Sequence, residues 1–203
     1  MRIYLIRHGK TNRNDHPELI GQSPEEPLNE LGKEQAKLLG ERFKKENIKF
    51  DEVYCSPYIR ALDTCKIVTS LLDNQITIDE RLREYGTGMA TDKVRHEIIN
   101  EDIFNRMMEL GMHFAWEGGE SLFDVEKRAS LWLYDTLQKH KDTSNNIAVF
   151  SHGMVIKTLL HYIMQFDHHL SWRIDIKNTA ISTLDYKLDH WFPKTINDTA
   201  HLK

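Results

Sequence analysis

The chain has 203 residues, 40% of them hydrophobic and 29% charged, a balance that fits one globular domain with a substantial core and excludes a disordered or collagen-like polypeptide. Its formal net charge is -4, with 27 Lys and Arg scattered against 31 Asp and Glu, so nothing advertises a nucleic-acid surface and any anion site must be local. No stretch approaches the roughly 18 apolar residues of a membrane span, and the opening MRIYLIRHGK is too short in apolar residues for a secretory core, so the expectation is a cytoplasmic protein with neither nucleic-acid nor membrane partners.

In chain order, residues 2–7 read as a short strand, and residues 28–47 as a helix with Leu31, Gln35, Leu38, Leu39 and Phe43 near one face. The segment FDEVYCS is a second strand. Pro57 breaks it, and residues 58–72 form a helix with Ile59, Leu62, Ile67 and Leu71 inward. QITIDE is a third strand. Residues 86–119 loosen into a Met-rich, charged stretch, helical around 102–110, which reads as an insertion covering one end of the sheet. Ser121 is a plausible N-cap for a helix to about Lys139, with Asp124 supplying acid in its first turn. NNIAVFS is a fourth strand, apolar enough to be buried on both faces. A helix over residues 154–162 follows, and ISTLDY is the final strand. This alternation predicts an α/β fold over residues 1–203: a three-layer α/β/α sandwich with a mostly parallel central sheet, and a helical insertion over the active site. Cys55 and Cys65 read as reduced core thiols. No signal specifies the oligomeric state.

Three strand ends carry related cargo. The first ends in Arg7, His8 and Gly9; the second in Ser56, with Arg60 at the next helix start; the fourth in Ser151, His152 and Gly153. Ligands of open parallel sheets bind outside the carboxyl ends of the strands, so these segments are expected to meet. A single His-Gly after a strand is ordinarily a turn with a satisfied ring. Two such pairs with an Arg-bearing helix start point instead to a phosphoryl site. Guanidinium forks bind the oxygens, helix starts add N–H donors, and Gly9 and Gly153 permit close backbone approach. A neutral imidazole can attack phosphorus while a second, protonated one stabilises the charge. The residues themselves leave open which histidine attacks. Taken alone, Arg60 reads as a surface partner of Asp63 or Glu52, and Glu84 as a partner of Arg81 or Arg83.

These segments resemble the histidine phosphatase superfamily, which contains cofactor-dependent phosphoglycerate mutases and many small phosphatases. The resemblance spans most of the chain through LIRHGKTNRN, PLNELGKEQA, SPYIRALDT, GGESLFDVEKR and FSHGMVI, in that order. It implies that His8 is the phosphorylated nucleophile, that Arg7, Arg60 and His152 grip the phosphoryl oxygens, and that Asn14 and Gly153 lie at the same phosphate. It also implies that Glu84, in RLREYG, protonates the leaving alcohol, a task that needs a carboxyl partly shielded from water. Lys10 departs from the usual Glu or Gln, the loop GQSPEEPLNE is one residue longer than the common form and lacks its Asp, and the stretch after Gly86 does not follow the pattern. The resemblance therefore assigns no contact to Gln22 or Ser23.

The expected activity is hydrolysis of small phosphorylated metabolites without metal or cofactor. A metal hydrolase is disfavoured because the eleven histidines make no H-E-x-x-H pair, and the adjacent His168 and His169 point apart on most backbones. A phosphate-binding module that has lost turnover would lack some of the chemical residues, and all are present. A mutase needs a closed lid. Mutases of this superfamily usually carry longer inserts, whereas this one is confined to residues 86–119, Gly-flanked and Met-rich.

Overall fold

The computed structural model describes residues 1–72, 74–167, 171 and 173–203; His168 and His169 lie outside them. Six strands among the described residues form one sheet: β1 (Arg2–Arg7), β2 (Glu52–Cys55), β3 (Ile76–Ile78), β4 (Asn146–Ser151), β5 (Ile181–Lys187) and β6 (His190–Asp198), in the order β3-β2-β4-β1-β5-β6. The first four are mutually parallel, and β5 and β6 add an antiparallel hairpin beside β1. The helices are α1 (Glu30–Lys45), α2 (Ile59–Ser70), α3 (Arg95–Ile98), α4 (Glu101–Leu110), α5 (Leu122–His140) and α6 (Gly153–Met164).

Helices on both faces explain why the central strands are apolar on both sides. One core unites Ile3, Leu5, Ile147 and Val149 with Trp132, Leu159 and Leu160 of α5 and α6. The other sets Tyr4, Ile6, Ala148 and Phe150 against Leu39, Phe43, Ala61 and Val68 of α1 and α2. Asn29 caps α1 by accepting from Gly32 N at 2.9 Å. Ser121 caps α5 in a reciprocal box: its Oγ accepts from Asp124 N at 3.1 Å, while Asp124 Oδ2 accepts from Ser121 N at 2.9 Å.

The expected faces of the two early helices hold only in part: Leu39 and Phe43 of α1 are buried, and Leu62 and Ile67 of α2 pack partly buried against the core. In α1 the buried residues are Gly32, Ala36, Leu39, Gly40 and Phe43, and Leu31 is exposed. In α2 the buried set is Arg60, Ala61, Thr64, Cys65, Val68 and Thr69, with Ile59 and Leu71 exposed. The cause is chemical: α2 turns Arg60 and Thr64 inward to the sheet end, which displaces its larger aliphatic residues outward. ISTLDY is not the last strand either. β5 reverses through Leu188 and Asp189, with φ of +52° and +58°, the backbone of a two-residue hairpin, and β6 follows. Its sequence hides it, because β6 is a mostly exposed edge interrupted by Pro193, where a missing N–H is tolerated.

Residues 86–119 contain 3-10 turns, α3 and α4. The expected helix near 102–110 is α4, and none of its residues is buried. No helix among the described residues is long and apolar enough to cross a membrane.

Candidate active site

Strand register brings the two histidines together. β1 and β4 are parallel neighbours with Arg7 opposite Ser151, so the next residues, His8 and His152, leave adjacent strands side by side. Their ring centroids are 5.2 Å apart. On the far side of β4, Cys55 pairs with Phe150, which sets Ser56 beside His152: His152 Nε2 and Ser56 Oγ share a 2.7 Å hydrogen bond.

His8 is fully enclosed, and its Nδ1–H donates to the Gly9 carbonyl at 2.7 Å. A carbonyl only accepts, so the proton sits on Nδ1 and Nε2 keeps its lone pair. Arg60 Nε donates to that lone pair at 3.3 Å. Burial, then the charges of Arg60 and Arg7, hold the His8 ring well below the ordinary imidazole value, so it is neutral at pH 7.

Arg60 is buried and makes neither of the surface pairs suggested for it, since Glu52 bonds Lys139, His140 and Tyr54. Its Nη1 donates to Ser23 O at 2.7 Å. Burial pushes its guanidinium down to about 10, which leaves it charged at neutral pH. Arg7 Nη1 donates to Ile176 O at 2.5 Å. Arg7 Nε, Arg60 Nη2 and His152 Nδ1 are buried with no hydrogen-bond partner among the described residues. Unsatisfied buried groups are rare because each costs about 1–3 kcal/mol, and these three belong to the end of β1, the start of α2 and the residue after β4, a set that fits a phosphoryl oxyanion. The expectation of a protonated second imidazole needs correction. Burial, with Arg60, His8 and Arg7 nearby, holds His152 well below its ordinary value. Against these neighbours alone it is neutral, and an arriving dianion is what would favour its protonation.

Asn14 is fixed through its Oδ1, which accepts from Thr11 N and from Asn178 Nδ2, each at 3.1 Å. Gly9 does bring backbones together: a Cβ there would lie 2.5 Å from the Gly32 carbonyl oxygen. Gly153 does not, because the atom nearest to an added Cβ is Arg7 Nε at 3.7 Å, an ordinary contact. Lys10 turns away to Asp15 at 2.5 Å. Ser23 serves Arg60 through its carbonyl, and Gln22 Nε2 donates to Thr11 Oγ1 at 2.6 Å.

Glu84 is free of both suggested arginines, since Arg81 pairs with Asp79 and Asp135, and Arg83 with Glu120. Its Oε1 accepts from Tyr85 N at 2.9 Å. Its backbone is braced by Arg128, which donates to Glu84 O at 3.1 Å and Arg81 O at 2.7 Å while its guanidinium is paired to Glu120 at 2.8 and 3.0 Å. Glu84, Arg7 and Asn14 line one cavity of about 580 Å³ that runs beneath the insertion.

A profile of the histidine phosphatase superfamily (branch 1) matches residues 3–199. The chain belongs to this superfamily. Among curated relatives, a probable phosphoglycerate mutase of Yersinia pestis is 28% identical over 209 residues, spanning 100% of this chain and 95% of that one. Among solved structures, a putative alpha-ribazole-5'-P phosphatase of Escherichia coli superposes with a TM-score of 0.84 at 25% identity, covering 98% of this chain and 97% of the other. A phosphoserine phosphatase of Entamoeba histolytica, solved with phosphoserine, gives 0.86 at 24% identity over 100% and 99% of the two chains, a likeness of fold.

Several supports of this superfamily site escaped sequence reading. Thr64 Oγ1 accepts from Gly9 N at 2.9 Å and donates to Arg60 O at 2.7 Å, tying the loop after β1 to the first turn of α2. It lies inside SPYIRALDT, where a hydroxyl one turn after an inward arginine was the available signal. Asn178 donates to His8 O at 3.0 Å, and Thr179 N donates to Arg7 O at 3.1 Å and His8 O at 3.2 Å. Thr179 does so at φ +54°, a strained setting for a β-branched residue. Nothing in the local sequence marks these two, because they reach the site only through the antiparallel placement of β5.

Proposed function

We propose that this chain is a phosphomonoester hydrolase acting through a phosphohistidine on His8. The observation that carries the reading is the state of His8: a neutral ring with its proton tied to Gly9 O, so that Nε2 is the lone-pair nitrogen, beside buried arginine donors without partners. In the first step the Nε2 lone pair attacks phosphorus, the ester P–O bond breaks, and the departing oxygen takes a proton from Glu84. Arg7, Arg60, His152 and Asn14 hold the non-bridging oxygens, and the N-terminal end of α6 at Gly153 adds backbone N–H groups. In the second step water gives a proton to the Glu84 carboxylate and attacks phosphorus. The P–N bond then breaks, its electron pair returns to Nε2, and inorganic phosphate leaves.

Arginines and an imidazole supply the charge a cation would otherwise provide, which supports a metal-independent reaction. Cys55 and Cys65, buried and unbridged, support a cytoplasmic location. One sheet with a core on each face supports a single domain over residues 1–203, the insertion serving as its cover. Small phosphorylated compounds are the expected substrates, as for the relatives crystallised with phosphoserine and 3-phosphoglycerate. Hydrolysis is favoured over mutase action because no residue of α4 is buried, a cover that leaves the phosphoenzyme within reach of water.

The test is brief incubation with labelled substrate after chelation and without bisphosphoglycerate. The wild type should release phosphate and carry acid-labile, base-stable label, and His8→Ala should do neither. Undiminished label in His8→Ala would reject the nucleophile, and conversion of 3-phosphoglycerate to 2-phosphoglycerate far faster than phosphate release would make the protein a mutase.

A further inference from the structure

Resting on that hydrolase reading, we propose that the alcohol portion of the substrate is bulky and largely apolar, an aromatic or extended aliphatic group seated under α4, rather than a three-carbon carboxylated chain. The cavity that begins at Arg7, Asn14 and Glu84 continues past Ile99, Phe104, Met107, Met108, Phe114 and Trp116. A leaving group on a phosphoryl held by Arg7 therefore enters a cavity whose wall carries these six apolar side chains together with the polar Arg13, His16, Gln22, Thr87 and Arg95. Its volume of about 580 Å³ lies in the middle of the range for ligands of drug size, roughly 300–1,000 Å³. A phosphoglycerate or phosphoserine would leave most of it unfilled.

The design of α4 points the same way. Phe104, Met107 and Met108 stand at i, i+3 and i+4, which is one helical face, and all three line the cavity. The helix buries none of its residues, so this face is not packed into either core. Methionine adapts to irregular apolar shapes, which suits a wall that closes on a ligand. Two of the cationic side chains that line the wall already hold carboxylates: Arg13 Nε with Asp92 at 3.1 Å and His16 Nδ1 with Glu18 at 3.0 Å. Arg95 also lines the cavity but is exposed. A short carboxylated ester would thus compete with Asp92 and Glu18 for Arg13 and His16, whereas an apolar group meets the thioethers and rings without that competition.

The experiment compares ethyl, butyl, hexyl and 2-phenylethyl phosphates with phosphoserine and 3-phosphoglycerate. The simple alkyl alcohols have nearly equal acidity, so differences among them report binding. We expect kcat/KM to rise with chain length, by up to about fourfold per methylene group, mainly through KM, with the hexyl and phenylethyl esters at least tenfold above both carboxylated esters. Replacing Phe104→Asp and Met108→Asp together should collapse the hexyl-to-ethyl ratio toward one. A ratio near one in the wild type, or a preference for either carboxylated ester, would overturn the proposal. Calorimetric binding of ethyl and hexyl phosphate to the His8→Ala protein separates the two readings. Tighter hexyl binding without turnover in the wild type would sink the hydrolase assignment and leave the apolar subsite standing, while equal binding would sink the subsite itself.

Discussion

Glu84 lies on the wall of the cavity shared with Arg7 and Asn14, with its backbone held by Arg128. If it donates the proton to the leaving oxygen, Glu84→Gln should slow alkyl phosphates by on the order of 10²- to 10⁴-fold. Hydrolysis of p-nitrophenyl phosphate, whose phenolate leaves with little need of a proton, should fall far less. Equal losses on both would make Glu84 a positioning residue. If Arg60 and His152 hold charge at the phosphoryl group, Arg60→Ala and His152→Ala should each cost on the order of 10²-fold or more on every ester; near-normal kcat/KM in either would put that residue outside the phosphate pocket. His8, His152 and Arg60 were legible because strand ends in a parallel sheet converge. Glu84 was not legible on that ground: it follows a three-residue strand and a 3-10 turn, and its neighbours Arg81 and Arg83 invite an ion-pair reading. Only the resemblance to a known superfamily lifted it out. Asn178 and Thr179 were invisible for a further reason, since their role depends on where an antiparallel strand docks.

At the scale of elements, the site depends on how closely α1 passes the loop that follows β1. A Cβ on Gly32 would sit 2.0 Å from Lys10 O and 2.6 Å from Lys10 N, both backbone atoms two residues beyond His8, so relief requires moving the loop or the helix. Gly32→Ala should therefore cost about 1–3 kcal/mol in stability and lower kcat by roughly tenfold or more, because small displacements of a nucleophile are expensive. Urea unfolding and steady-state kinetics on one preparation check both. Wild-type kinetics would show that the loop yields without moving His8. The order of strands and helices followed from periodicity, and the cap at Ser121 from residue type, while the cap at Asn29 lay inside the helix expected over residues 28–47. The facing of α1 and α2 followed only in part. A purely apolar pattern assumes that helices bury aliphatic residues, and here Gly32 is buried against a loop and Arg60 beside His8. β6 was missed because an exposed edge strand need not alternate, and its turn residues, Leu188 and Asp189, are not the usual glycine-bearing pair.

Across the whole molecule, the same enclosure that keeps His8 neutral ties stability to pH. His8 and His152 are fully buried, and both are held well below the ordinary imidazole value, first by desolvation and then by Arg60. In the unfolded chain each ring returns to an ordinary value of about 6.5. Below that pH the unfolded state binds protons that the folded state refuses, so stability falls as pH falls, beginning near 6.5 and continuing until the folded rings protonate. If neither ring titrates in the folded protein, the two together remove about 4 kcal/mol between pH 7 and pH 5, a large part of the 5–15 kcal/mol typical of a domain. The paired carboxylates Asp185, Asp198 and Glu120 are held below their ordinary values by Arg2, Arg42 and Arg128 respectively. The stability they contribute is lost only at more acid pH, which keeps the histidine window separate. Urea unfolding at pH 7 and pH 5 should therefore show a marked drop for the wild type. His201, pushed down to about 4 by burial, loses stability over the same window, so the drop should shrink by about a third in His8→Gln or His152→Gln, because one of three depressed imidazoles is gone from both states. A flat profile, or an undiminished drop in both variants, would mean that the two rings accept protons in the folded protein and that His8 does not owe its neutrality to burial.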